Sequence, residues 1–470
     1  MTGAGSWGEL FSRRYRGAAT VLAGGVAIYA TNEFITMSLL PTATGEIGGA
    51  RLYAWVTTVY LVASVIGATT VGPVLTRFGP RLSYFGALLS FAAGSAVCAL
   101  APSMPVLLAG RAVQGLAGGV LAGLGYAVIS AVLPERLWTR AAATVSAMWG
   151  VGTLLGPVSG GLFAQFGSWR GGFALLLILA VVVAGLVPLA LPAGRGHSGE
   201  ALGIPVWSLT LLGLAALIVS LAAVPADPAA TAALLALAAG LVVAFLAVDR
   251  RAGAQREGAA RVLPRAVFRP GPLKWIYLTL GLLMAATMVD MYVPLFGQRL
   301  AGLSPVIAGF LGAALSVGWT VGEIRSASIG RRSVAARVVT LAPVVMAAGL
   351  GLAALAQQEG AGPPAVALWA LALVVTGAGI GGAWPHLSVW AMGSATQERA
   401  GEPGEQTIAS AAVNTVQLIC GAFGAGLAGV VVNLRDSPDV TAARSMFALF
   451  AGLVLVGVVA SRRACRQPEK

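Results

Sequence analysis

Glu33 lies in the stretch "YATNEFITMSLLPTA", inside an apolar run long enough to cross a bilayer. A carboxylate at membrane depth costs roughly a few kcal/mol on the mildest scales, so such groups face water or a partner and mark ion or substrate pathways. A second ionisable group, Arg111, stands in "LLAGRAVQGLAGG". Glu33 falls about 7 residues, or about 10 Å at helical rise, from the far end of its span, and Arg111 falls at a similar depth below the same surface. An acid and a guanidinium at one depth either form a static tie between two helices or share an aqueous cavity in which the acid exchanges a proton. The chemistry expected of the pair is reversible protonation of Glu33, with Arg111 making its charged form tolerable.

Asp290 is the corresponding acid of the second half. "ATNEF" and "ATMVD" each place an acid within three residues of an Ala-Thr pair, at matching depth in spans that run the same way. The twelfth span has no arginine at that depth. Asp290 is therefore expected as a neutral acid or as the counter-charge to a cation that substrate brings. Asn32, Tyr60, Gln114, Tyr292, Asn414 and Gln417 are the polar and aromatic candidates for lining a substrate cavity. Tyr60, Tyr292, Trp384 and Trp390 can stack on a flat or cationic ligand, although most membrane aromatics are packing or interface residues. Glu323 and Arg325 read mainly as interfacial charges, with Glu323 a secondary proton-site candidate. His386, in "WPHLSVW", reads mainly as a structural residue and secondarily as a proton site.

The fifth span carries "GVGTLLGPVSGG". Gly152, Gly156 and Gly160 recur every four residues, so they share one helix face and let another backbone approach closely. Pro157 removes a backbone hydrogen bond and bends the helix. A bent, glycine-lined helix suits a gate or hinge; ordinary small-residue packing is the competing reading.

These residues need long apolar helices to position them. Of 470 residues, 57% are hydrophobic and 10% charged, where a soluble domain averages about 25% charged. Fourteen spans are expected, near 18–40, 53–75, 82–101, 105–133, 141–165, 171–192, 204–224, 230–248, 273–296, 305–326, 334–356, 364–393, 406–433 and 444–461. The first has Glu33 and no cleavage site, so it reads as a span and not a signal peptide. The pair 204–248 sits between two blocks of six. The expected organisation is a six-helix bundle at 1–195, an inserted pair at 196–250, a cytoplasmic linker at 251–272 and a second bundle at 273–470.

With the N-terminus inside, cytoplasmic segments hold 24 of the 30 Lys and Arg residues, and outer loops hold five: Arg51, Arg170, Arg299, Arg435 and Arg444. That asymmetry is the positive-inside rule, and it puts both termini in the cytoplasm. The net charge of +13 is thus a topology signal that also attracts anionic headgroups, and nucleic acid is not an expected partner. Cys98, Cys420 and Cys465 are scattered, which predicts no disulfide and no metal site. Two histidines and short loops argue against a multipass enzyme.

Several motifs together resemble those of the major facilitator superfamily. "GTLLGPVSGG" resembles its antiporter motif G-x-x-x-G-P-x-x-G-G at Gly152, Gly156, Pro157, Gly160 and Gly161, which in that superfamily marks exporters. "GPVLTRFGPR" resembles the loop G-x-x-x-D-R-x-G-R-R at Gly72, Arg77, Gly79 and Arg81, with Thr76 replacing the acid and Pro80 a base. "RAVQG" resembles R-x-x-Q-G at Arg111, Gln114 and Gly115, where the family links the arginine to proton transfer. Fourteen spans, the inserted pair and "LPRAVFR" before span nine are similar to the EmrB/QacA-type drug:proton antiporters. Those relatives carry an Asp nine residues before the proline of span one; here that slot is Asn32 and the acid is Glu33. One residue turns a side chain by about 100° around a helix.

The resemblance implies an all-α transporter of two six-helix bundles plus an inserted pair. It implies a monomer in the cell membrane that exports lipophilic compounds, multidrug or antibiotic, against protons. No cofactor is expected beyond the proton gradient, and the partners are lipid, protons and a small lipophilic substrate. The alternatives are a proton-coupled importer of a small metabolite and an exporter of a lipid or a single secondary metabolite.

Overall fold

The structure is a computed structural model that describes residues 6–193, 203–255, 260–397, 405–434 and 439–465. Every regular element in them is helical. Among the described residues thirteen helices are long and apolar enough to cross a membrane, and a shorter apolar helix, Val206–Leu221, has 16 residues. In hydrocarbon a helix satisfies its backbone polar groups internally, which is why runs of Ala, Leu, Val and Gly take this form. The protein is a multi-pass membrane protein.

The long helices are numbered in chain order. They are α1 (Arg16–Ile47), α2 (Tyr53–Thr69), α3 (Val71–Ala99), α4 (Met104–Ala127), α5 (Glu135–Gln165), α6 (Trp169–Ala190), α7 (Val206–Leu221) and α8 (Pro228–Gln255). They continue with α9 (Leu273–Ala301), α10 (Pro305–Ala327), α11 (Arg332–Ala356), α12 (Pro363–Gln397), α13 (Glu405–Asn433) and α14 (Asp439–Ala464).

Several elements depart from the expected bounds: α1 runs on to Ile47, α4 stops at Ala127, α8 runs on to Gln255 into the expected linker, and α14 starts at Asp439. Three further departures have a local backbone reason. The second span stops at Thr69 instead of residue 75, and α3 then begins at Val71. The expected turn "TRFGPR" lies within α3, where Gly79 breaks the helical path with φ 72° and ψ 172°. Only glycine takes that φ without strain, and Ser83 Oγ donates to the Gly79 carbonyl at 2.6 Å. The fifth helix starts at Glu135, six residues before the expected 141, because Pro134 at its N-cap starts it cleanly. In α9 the chain tightens into a 3₁₀ turn over Met288–Tyr292. Pro294 has no N–H to give the Asp290 carbonyl, and Val293 N–H takes that carbonyl instead.

The chain groups into two compact units. One comprises 1–50, 59–202 and 305–309; the other comprises 51–58, 203–304 and 310–470. Each contains the same glycine pattern. In the first unit, a Cβ added at Gly94, Gly115 or Gly119 would come under 3.0 Å from Gln114 N, Tyr60 O or Ser64 O. In the second, Gly349, Gly377 and Gly381 stand in that relation to Thr376 N, Leu315 O and Trp319 O. Helices α2, α3 and α4 thus pack as α10, α11 and α12 do, through direct backbone contact.

The second unit also holds the inserted pair. Ser220 of α7 donates to Thr58 Oγ1 at 2.7 Å, and Trp55 Nε1 donates to the Ser220 carbonyl at 3.0 Å. At the far end of α8, buried Asp249 accepts from Ser208 Oγ, Val262 N and Leu263 N, each at 2.9 Å. One carboxylate therefore ties α7 and α8 to the segment that leads into α9.

Candidate functional site

The ionisable pair of the first unit is built by α1 and α4. Arg111, 2% exposed, donates through Nη1 to Asn32 Oδ1 at 3.0 Å and to Gln114 Oε1 at 2.9 Å. Gln114 passes the chain on, donating from Nε2 to Ser95 Oγ at 2.8 Å, and Ser95 Oγ donates to the Phe91 carbonyl at 2.9 Å. Cys98 Sγ lies 3.6 Å from Gln114 Oε1. The guanidinium carbon sits 4.1 Å from the centre of the Tyr60 ring. Stacking of this kind between desolvated groups is worth about 2 kcal/mol. Two neutral amides and one ring therefore fix the orientation of a buried cation. Glu33 is half-buried on the next position of α1, one residue beyond the Asn32 that Arg111 bonds.

An aromatic group surrounds this pair. Tyr29, four residues before Glu33, has its ring 5.9 Å from that of Tyr60 and 5.6 Å, edge-on, from that of Trp149. The amide Nδ2 of Asn32, the hydroxyl of Tyr60 and the hydroxyl of Thr36 are buried without a hydrogen-bond partner. Groups in that condition are costly to keep and mark places where water or a ligand completes the set. An apolar cleft of about 560 Å³ opens among α1, α5 and α6, lined by Ile28, Thr31, Val151, Leu155, Phe163 and Leu179.

The glycine stripe of α5 lies on this same stretch of α1. A Cβ at Gly152 would meet Ala30 and the Thr31 amide, one at Gly156 the Phe34 Cβ, and one at Gly160 the Ile35 carbonyl, each closer than 3.0 Å. Pro157 sits within α5, and Gly161 faces Val306. The motif glycines thus seat α5 on the turn that carries Asn32 and Glu33. In the segment of the other loop motif, Gly79 carries the positive φ, and Arg77 lies with its guanidinium carbon 5.5 Å from the Phe78 ring. Gly72 has open space around its Cα, and Arg81 is half-buried.

The second unit differs at the equivalent positions. Four residues before Gly115 stands Arg111, and four before Gly377 stands Leu373; Gln114 is matched by Thr376. Asp290 is 5% exposed on the 3₁₀ turn of α9. Tyr292 stacks between Tyr53, at 4.8 Å, and Phe296, at 5.9 Å. Asn414 is exposed and Gln417 half-buried on α13. Glu323 accepts from Trp319 Nε1 at 3.1 Å, and the Trp319 ring lies 5.2 Å from that of Trp384. Ser326 donates to the Gly382 carbonyl at 2.6 Å, so its Oγ, 2.9 Å from His386 Nε2, accepts the ring N–H. That assigns His386 the Nε2–H tautomer. His386 and Trp390 have ring centres 6.2 Å apart.

Sequence reasoning alone misses Ser95, Cys98, Tyr29 and Trp149. Tyr29 has a usable signal, since a residue four before Glu33 shares its helix face; Ser95 and Cys98 are small polar residues whose role appears only when α3 meets α4. Among the described residues no group of three or more His, Cys, Asp or Glu is arranged to hold a metal. Cys98, Cys420 and Cys465 are unbridged.

Comparison with known proteins follows the same pattern. A Mycobacterium tuberculosis protein named as a probable multidrug-efflux transporter is 56% identical over 472 residues, covering 99% of this chain and 98% of its own length. A nucleoside transporter, NupG, superposes with a TM-score of 0.64 at 12% identity, over 94% or more of each chain. A bacterial homologue of the human lysosomal transporter Spinster gives 0.64 at 14% identity, covering 97% of this chain and 98% of its own. At such identities the two structures speak for the fold alone. The profile of the Major Facilitator Superfamily matches residues 22–425, and with a relative aligned from end to end the chain belongs to that superfamily, as a membrane transporter and not an enzyme.

Proposed function

We propose that the protein is a proton-coupled exporter of lipophilic compounds, a drug:proton antiporter with fourteen transmembrane helices and both termini in the cytoplasm. The sixteen-residue α7 is counted as a span with the other thirteen. The observation that carries the reading is the placement of one acid, Glu33, beside a buried Arg111 whose orientation is fixed by neutral amides, on a turn of α1 that the α5 glycines clasp. Glu33 gives up its proton to the cytoplasm, and the Arg111 charge stabilises the carboxylate. Substrate binding and carboxylate protonation favour opposite states of one conformational equilibrium, and that opposition makes the exchange obligatory. Asp290 is a second proton-binding group, on the 3₁₀ turn that precedes Pro294.

The apolar cleft next to Thr31 and the aromatic group at Tyr29, Tyr60 and Trp149 support a lipophilic substrate, cationic or neutral. The name of the mycobacterial relative, a multidrug-efflux transporter, supports export of several compounds. The transporter works as a monomer in the cell membrane, without a cofactor other than the proton gradient. The test uses inside-out vesicles with an acid lumen. A lipophilic compound added outside should raise lumenal pH in proportion to its uptake. Uptake that proceeds equally with and without the proton gradient would reject the coupling, and proton-driven flux in the opposite direction would make the protein an importer.

A further inference from the structure

The chain enters α1 through an arginine-rich segment that transport chemistry does not use. Ser6 caps the short turn Trp7–Leu10, its Oγ accepting from Glu9 N–H at 3.1 Å. The turn leaves Trp7 and Phe11 51% and 52% exposed, with ring centres 6.5 Å apart and planes 12° from parallel. Two bare aromatic rings a few residues before a membrane-spanning helix belong at headgroup level, where amphipathic rings are stable.

The surrounding charge is positive and comes from two places in the chain. Residues 6–16 contribute Arg13, Arg14 and Arg16, and the start of α5 contributes Arg136 and Arg140, against Glu9 and Glu135. Arg136 donates to Glu9 Oε1 through Nε at 3.0 Å and Nη2 at 2.5 Å. That bond holds the Glu9 carboxyl below the usual range, so Glu9 stays charged and satisfies Arg136. Arg140 has its guanidinium carbon 5.9 Å from the Trp7 ring centre, and its Nε is buried with no acceptor. Arg14 lies over the Tyr15 ring at 5.3 Å and within electrostatic reach of Glu9. Glu9 thus organises the cluster but neutralises one guanidinium, which leaves Arg140 beside the exposed Trp7 ring and Arg14 over Tyr15 and within reach of Glu9.

We propose that this cluster is a binding site for the phosphate headgroup of an anionic membrane phospholipid. Trp7 and Phe11 enter the interface, and the Arg14 and Arg140 guanidinium groups hold the phosphate, whose oxygens match their planar donor fork. The exposed aromatic pair selects a lipid over free phosphate, because only a lipid brings an apolar phase to cover it. The site is independent of the transport reaction.

Native mass spectrometry of the purified full chain, titrated with phosphatidylglycerol or phosphatidylcholine, tests this. Wild type should bind the first phosphatidylglycerol at least fivefold more tightly than phosphatidylcholine. R14Q/R140Q should lose that preference, W7A/F11A should weaken binding of both lipids, and R250Q/R251Q should behave as wild type. Should the double variant not fold, Arg14→Gln at an exposed position carries the comparison. Equal affinity for the two lipids in wild type, or full preference retained without Arg14 and Arg140, would overturn the proposal. Displacement of the lipid by millimolar inorganic phosphate would overturn its lipid part and assign the cluster to free phosphate.

Discussion

Arg111 donates to two amides and stacks on a ring, a set of contacts that only a planar guanidinium makes at once. Lysine keeps the charge but reaches a single acceptor and loses the stacked face. Arg111→Lys should therefore cost about 2 kcal/mol, the value of one charge-assisted hydrogen bond. It should also lower transport at least tenfold. Thermal unfolding in detergent and vesicle uptake check the two separately. Unchanged uptake in a correctly folded Lys variant would reduce Arg111 to a tie between helices. The residue types of this network are legible in sequence, because Asn32, Arg111 and Gln114 are polar groups inside apolar runs. The relay through Ser95 is not, since serine is common in membrane helices and nothing in its spacing points to Gln114.

At the scale of elements, the α5 glycines and the α8 carboxylate make opposite demands. Gly156 admits no side chain against Phe34. Gly156→Ala should force α5 off α1, at an overpacking cost of about 1–3 kcal/mol. Because that move displaces the turn of Asn32 and Glu33, it should lower transport more than it lowers the melting temperature. Gly72, with open space around it, should accept alanine without loss of stability, and the pair of variants compared in one melting assay separates packing from motif identity. Asp249 works by hydrogen bonding. Asp249→Ala leaves the Ser208 hydroxyl and two backbone amides without their acceptor, which should cost about 3 kcal/mol, measured as lost thermal stability of the full chain. The four-residue spacing of Gly152, Gly156 and Gly160 is enough by itself to signal a close helix contact. The partner, α1, does not follow from spacing, and neither does the Asp249 tie. Asp249 lies next to Arg250 and Arg251 in sequence, where it reads as one more interfacial charge.

For the whole molecule, hydropathy and arginine distribution make the helical membrane architecture legible, since a bilayer imposes length and backbone satisfaction on every span. Boundaries are less legible where a single backbone feature decides them, as at Gly79 and at Pro294. The glycine-for-glycine match between α2–α4 and α10–α12 shows that the two halves repeat, while Leu373 at the position that matches Arg111 shows that the buried cation does not. The proposed topology predicts that a cysteine placed at Asp227, in the α7–α8 connection, reacts with a membrane-impermeant thiol reagent from outside intact cells. One placed at Arg269 should react only from inside. Labelling of both from outside would remove α8 from the count of spans, labelling of both only from inside would remove the pair, and the reverse pattern would remove α7 or invert the chain.

The repeat without its cation is why the proton exchange is assigned to the first half. Glu33 has Arg111 beside it; Asp290 sits on a half whose matching position is leucine. The most direct test compares wild type, Glu33→Gln and Asp290→Asn in acid-lumen inside-out vesicles, with lumenal pH followed as a lipophilic compound is added. Compound-driven proton efflux lost in Glu33→Gln and kept, even if slowed, in Asp290→Asn is the predicted result. Efflux that survives in Glu33→Gln and disappears in Asp290→Asn would contradict the account and move the coupling acid to α9.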